Sequence, residues 1–178
     1  DSPSQNWLNQ TNSDGKGLSL IPGPTGKLQQ AVFITKDPAH YFASGDLANQ
    51  LPEGQYLLQT DEQYREAVAF GWAVGSYRFD RYKKNDKPQA ILAVSDGALV
   101  WKAENYAKAV NITRDLINTP AADMMPQNLA DMLQTMAAEF GAQLEQIIGD
   151  DLLTQNYPTI HAVGRASVHK PRLIDLHW

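Results

Sequence analysis

Metal binding and acid–base catalysis both require His, Asp or Glu side chains that converge on one point. The chain has four histidines, His40, His161, His169 and His177. No two of them stand four apart, and none sits in a Glu-flanked helical motif of the zincin kind. They are expected at the surface or in support of other polar groups. Asp150-Asp151 opens a predicted helix, where two acids complement the macrodipole without any catalytic role. There is no cysteine, which excludes a thiolate nucleophile, a zinc–thiolate centre and a disulfide framework.

One glycine-rich stretch, Gly23-Pro24-Thr25-Gly26-Lys27, resembles a phosphate loop and fails the pattern. With Gly26-Lys27 as its end, a Walker loop would need Gly at position 21 and Ser or Thr at 28; Ile21 and Leu28 stand there. Gly23-Pro24-Thr25-Gly26 is turn chemistry instead. The run from Arg78 to Lys87 carries five cations and two acids. Tyr77, Phe79 and Tyr82 interleave with it, but a solvated helix end accounts for such a cluster. No catalytic, metal-binding or cofactor-binding residue is assigned.

The elements available to position any site follow from periodicity. Ala31–Thr35 and Gln55–Gln59 are short β-prone runs. Thr60 and Gln63 have capping-box spacing. Behind them Tyr64, Ala67, Val68, Gly71, Trp72, Gly75 and Phe79 mark one face of a helix. Gly71 and Gly75 on that face invite close approach of another element. The helix is expected to run out into the basic cluster and to stop before Pro88. Gln89–Val94 reads as a buried strand, followed by the turn Ser95-Asp96-Gly97. Leu99, Ala103, Tyr106, Val110, Thr113 and Ile117 then stripe a long helix closed by Asn118-Thr119-Pro120. Pro126 opens a further helix with Leu129, Leu133, Met136, Ala137 and Phe140 on its apolar face, and Gly141 ends it. Gln143–Ile148 is a strand, Asp150–Gln155 a short helix and Pro171–Trp178 a strand. Strands alternating with helices define an α/β chain.

Length and composition bound the class. The 178 residues, 43% hydrophobic and 20% charged, suit one ordinary domain or two small ones. A net charge of −5 disfavours nucleic acid as a partner. No apolar run approaches the ~20 residues that span a bilayer, and no secretory core is present; a cytoplasmic protein is expected. The chain begins at Asp1 rather than Met, so an upstream segment is expected. It ends on an apolar strand with few neighbours, which reads as a cut inside a domain.

Three stretches together resemble the leucyl aminopeptidase family, the hexameric two-metal cytosol aminopeptidases. Gly71-Trp72-Ala73-Val74-Gly75-Ser76-Tyr77-Arg78-Phe79-Asp80-Arg81-Tyr82-Lys83 looks like the helix closing that family's N-terminal domain. Arg114-Asp115-Leu116-Ile117-Asn118-Thr119-Pro120, continued by Asp123-Met124-Met125-Pro126-Gln127-Asn128-Leu129-Ala130, is similar to the passage into its catalytic domain. Ala162-Val163-Gly164-Arg165-Ala166-Ser167 with Pro171-Arg172-Leu173-Ile174 looks like the approach to the first catalytic-domain strands. Ala122 stands where Asn is common and Met125 where Thr is common.

The resemblance implies a small N-terminal α/β, macro-like domain over 1–97, a connecting helix over 98–118 and the truncated start of an α/β catalytic domain over 119–178. It implies removal of N-terminal residues from peptides by an intact parent holding two divalent ions, zinc or manganese, that activate a bridging water. It further implies a hexameric homo-oligomer. The family's Lys, Asp and Glu ligands lie downstream of the region matched by Trp178. Gly15-Lys16-Gly17-Leu18 echoes a stretch near those ligands but stands far too early. This chain is therefore expected to bind no metal and to be inactive alone. The rival readings are a non-catalytic assembly or binding module, for subunits or DNA, and a nucleotide-binding domain that lacks its phosphate loop.

Overall fold

A computed structural model of the chain describes residues 3–11 and 15–178. Its contacts divide into two compact units that part between Ile112 and Thr113. The architecture is mixed helix and strand, as expected.

The first unit opens with helix α1 (Pro3–Thr11) and a hairpin of β1 (Gly17–Pro22) and β2 (Leu28–Ile34). The strands are antiparallel, from Gly17 opposite Ile34 to Pro22 opposite Leu28. The turn between them is built by the sequence read above as turn chemistry. Gly23 N–H donates to the Lys27 carbonyl at 2.7 Å, Gly26 N–H donates to the Gly23 carbonyl at 2.9 Å, and Gly26 takes φ 77°. Neither α1 nor β1 was foreseen, because the polar opening residues hide them. Positions 12–14 of that stretch lie outside the described residues. Within β1 only Ser19 and Ile21 are buried, an alternation too short to stand out.

Strands β3 (Gly54–Leu57) and β4 (Ala90–Ala93) pair in parallel, with Gly54 opposite Ala90 and Leu57 opposite Ala93. Parallel strands need a crossover, and helix α3 (Arg65–Gly75) forms part of it behind a 3₁₀ turn at Glu62–Tyr64. The core gathers Leu47, Ala48 and Leu51 around the short helix α2 (Leu47–Gln50) with Trp72 and Ala90. Leu18, Ala31, Phe33, Tyr56 and Leu92 pack against it, so both strand pairs feed one apolar centre.

Three expectations for this unit need correction. The Thr60–Gln63 box does not cap the helix: the turn starts after Asp61 and neither Asp61 nor Tyr64 makes a side-chain cap bond. The helix also stops at Gly75 rather than continuing past Phe79. Its last carbonyls are taken from the side: Ser76 Oγ–H donates to Ala73, Asn49 Nδ2–H to Gly75 and Gln89 Nε2–H to Ser76, at 2.8, 3.0 and 3.1 Å. Partners supplied by distant residues end a helix that periodicity alone would extend. Finally, β4 is not buried throughout. Ala90 is buried but Ile91 is 58% exposed, since successive side chains point to opposite faces and the core lies on the side of Ala90 and Leu92.

Helix α4 (Gly97–Asn118) begins where Asp96 Oδ1 accepts the Ala98 and Leu99 N–H groups at 2.9 and 3.2 Å, an N-cap. It runs through the boundary between the units. Ala103 and Ala107 are its buried residues, whereas Ile117, at the end of the expected stripe, is 76% exposed. The buried Thr119 closes it by donating its hydroxyl to the Asp115 carbonyl at 2.6 Å.

In the second unit Pro126 starts helix α5 (Pro126–Phe140), and Gly141 ends it at φ 68°. Met125 carries no hydroxyl to cap the helix; its own N–H donates to Asn128 Oδ1 at 3.0 Å, half of a capping box. Of the predicted face only Ala137 is fully buried, with Ala130 beside it; Leu129 and Phe140 are exposed. Strand β5 (Gln143–Ile148) pairs antiparallel with β6 (Arg172–His177). Between them lie α6 (Asp151–Thr154) and α7 (Pro158–Gly164). The last was not foreseen, although Pro158 at its first position is a start signal. Leu152 is wholly buried.

Candidate functional site

The four histidines do not come together. His40 Nδ1 accepts the Phe42 N–H at 3.3 Å. His161 Nε2 lies 3.1 Å from Asp150 Oδ1 and His177 Nε2 lies 3.0 Å from Asp175 Oδ2. His169 is exposed and its own N–H donates to Ser167 Oγ at 3.1 Å. Asp150 precedes the first turn of α6 without a side-chain cap bond, so its nearest named partner is the histidine eleven positions on. Sequence reading missed that pair, because nothing local links the two residues. Among the described residues, no three His, Cys, Asp or Glu side chains converge as a metal cradle. The described residues therefore offer no ligand set for the two-ion chemistry that the resemblance implies.

The basic run is a loop rather than a helix end. The Arg78 guanidinium donates to the Asn85 carbonyl at 2.9 Å and to the Lys87 carbonyl, which cinches the loop across its base. Arg81 lies over the Tyr82 ring at 5.8 Å.

A second polar feature was invisible in the sequence. Lys102 Nζ meets Glu66 Oε1 at 2.8 Å and Oε2 at 2.9 Å. The hydrogen bond to Glu66 holds the Lys102 ammonium above the usual lysine range. The same ammonium lies 5.8 Å from the Tyr106 ring, and Phe70 sits between Tyr106, Tyr41 and Phe42. In the second unit, Arg172 donates to Gln146 Oε1 at 2.9 Å and to Gln127 Oε1.

The first unit carries a cleft of about 830 Å³. Every residue from Leu28 to Phe33 and from Leu51 to Thr60 borders it, with Trp72, Leu47 and Leu92 among the apolar residues that line it. Burial there pushes the Tyr56 phenol up, and its hydroxyl donates to the Pro52 carbonyl at 2.9 Å. Among the described residues, Glu53 is the one charged residue that borders the cleft.

Residues 1–95 match the family model described as M17 aminopeptidase, N-terminal domain, and residues 111–178 match the cytosol aminopeptidase family, catalytic domain. The chain belongs to the M17 aminopeptidase family. A probable cytosol aminopeptidase of Wolinella succinogenes is 34% identical over 190 residues, covering 86% of this chain and 39% of the relative. One from Leifsonia xyli is 30% identical, covering 92% and 37%. The crystal structure of the cytosol aminopeptidase from Coxiella burnetii superposes with a TM-score of 0.89 at 34% identity, over all of this chain and 40% of that one. The bottromycin maturation enzyme BotP, solved in complex with Mn, shares the fold at a TM-score of 0.77 and 22% identity, over 99% of this chain and 42% of its own. The chain thus spans about two fifths of the length of these relatives. No described helix is long and apolar enough to cross a membrane.

Proposed function

We propose that this chain forms the front part of a metal-dependent aminopeptidase that removes leucine-type N-terminal residues from peptides. The observation that carries the proposal is the catalytic-domain match at 111–178 following the N-terminal-domain match at 1–95, in the order the family uses. The division we adopt is 1–97, a connecting helix over 98–118, and 119–178. The catalytic and metal-binding residues lie in the portion of the relatives that this chain does not match. Two divalent ions, zinc or manganese, serve the intact enzyme, and manganese bound by BotP supports that choice. The relatives' description as cytosol aminopeptidases supports a cytoplasmic site of action. A hexameric homo-oligomer is the expected assembly.

The exposed apolar residues of the second unit, Ile117, Val163, Val168 and Trp178, favour a second reading, an assembly module that acts through covered surfaces. One experiment separates the two. The 178-residue chain and a form extended to the length of the relatives are assayed on a leucyl chromogenic substrate, with and without manganese. The expected result is chelator-sensitive turnover by the extended form alone. Turnover by the 178-residue chain would misplace the active site. An inactive, metal-free extended form would favour the assembly module.

A further inference from the structure

A pocket on the face of a sheet touches alternate residues of a strand, because side chains alternate between the faces. The cleft of the first unit instead borders six consecutive residues of β2 and ten in and around β3. It therefore lies along strand edges. Among the described residues each strand belongs to a two-stranded sheet, β1–β2 or β3–β4, so each has one edge with no described ladder.

The register identifies the groups on the β3 edge. Leu58 N–H donates to the Ala93 carbonyl at 3.3 Å. Main-chain groups in a strand alternate in direction, so Gly54, Tyr56 and Leu58 point toward β4. Gln55, Leu57 and Gln59 direct theirs the other way, onto the open edge, and all three border the cleft. The Leu57 side chain is 70% exposed and contributes little packing there. Beside this edge lies an apolar lining that includes Phe33, Trp72 and Leu92. Among the described residues that line the cleft, Glu53 carries the one charge, a carboxylate, and none is a cation to meet an acidic ligand.

We infer that the open edges bordering this cleft take an extended peptide, uncharged or weakly cationic, as an added strand between β2 and β3. Main-chain hydrogen bonds supply its affinity, and the apolar lining takes alternate side chains of the strand. The cleft volume of about 830 Å³ lies within the range of built ligand sites. This site belongs to the N-terminal-domain half of the chain and does not depend on the hydrolase reading, since it requires neither metal nor turnover.

The probe is a capped Thr-Val-Thr-Val-Thr-Lys hexapeptide, with a second version N-methylated at both valines. Side chains are the same in the two, but one edge of the second cannot donate. Residue-resolved amide exchange on the 178-residue chain should slow by about tenfold or more at Gln55, Leu57 and Gln59 when the first peptide is added. The methylated peptide should bind at least about tenfold more weakly, and a version ending in Glu should bind more weakly than the one ending in Lys. Leu57→Pro removes one edge donor while leaving the bonds to β4, a placement that edge strands tolerate, and should weaken binding likewise. Gln55→Pro serves the same purpose should the first variant not fold. Equal binding of both peptides, or no protection of the three amides, would overturn the inference. Protection that appears without peptide and grows with protein concentration would overturn it too, giving the edge to a second copy of the chain.

Discussion

The carbonyl oxygen of Gly45 stands 1.7 Å from the place a Cβ on Gly75 would occupy. Backbone therefore touches backbone where the 41–45 segment crosses α3. At Gly71 the same segment would meet a Cβ at 2.2 Å from Tyr41 O and 2.5 Å from Ser44 Oγ. The Ser44 hydroxyl donates to the Val68 carbonyl at 3.1 Å and fixes the crossing.

Gly75→Leu should destabilise the fold by roughly 2 kcal/mol or more, because the obstruction is backbone and has no rotamer to yield. Urea denaturation of the purified variant measures it. Gly97→Ala is the control: a Cβ there meets nothing within 4 Å, and the midpoint should stay within the range of ordinary surface changes. An unchanged midpoint for Gly75→Leu would mean that this face of α3 is open.

Gly141→Ala should cost about 1 kcal/mol for a different reason. Nothing lies within 4 Å of a Cβ there, yet φ is 68°, a conformation that alanine adopts at a cost. Gly141→Asn should recover part of the loss, since asparagine tolerates this region better. Equal midpoints for all three proteins would refute a backbone origin.

Leu152→Ala should destabilise the second unit by about 2–5 kcal/mol, the range for deleting a fully buried leucine side chain. Its relative exposure is zero. Loss of protection at β5 and β6 in amide exchange should accompany the shift.

Glu66→Gln should bring the Lys102 ammonium back toward the ordinary lysine range, read by NMR titration of its side-chain signals. The sign follows from linkage. A lysine whose folded pKa is raised contributes its stabilisation fully below the unfolded value, and loses it as pH rises through the folded value. The wild-type chain should therefore lose this contribution only in strongly alkaline solution. Both side chains are partly exposed, so the effect on the thermal midpoint at neutral pH should be small. An unmoved Lys102 titration would show that Glu66 is not its partner in solution.

Local chemistry was the legible part of this molecule. Pro126 and Gly141 delimit α5 because each acts through its own φ, and β5 spans 143–148, the bounds read from the sequence. Gly71 and Gly75 announced a close crossing before the crossing segment was known. Long-range chemistry was not legible. The end of α3 depends on Asn49 and Gln89, far away in sequence, and Asp150 meets His161 only after α6 and α7 fold back. The open edges of β2 and β3 depend on which strands pair, which periodicity does not report.

The loop cinched by Arg78 also fixes how the chain responds to being cut. Lys83 and Lys84 are exposed between β3 on one side and β4 on the other, a natural target for trypsin. Those strands are each other's ladder partners, and Asn49 bonds Gln89 across the same gap. A single nick there severs the chain without separating the pieces. The two fragments should elute together in native buffer and part only in denaturant, a split protein held by its parallel pair.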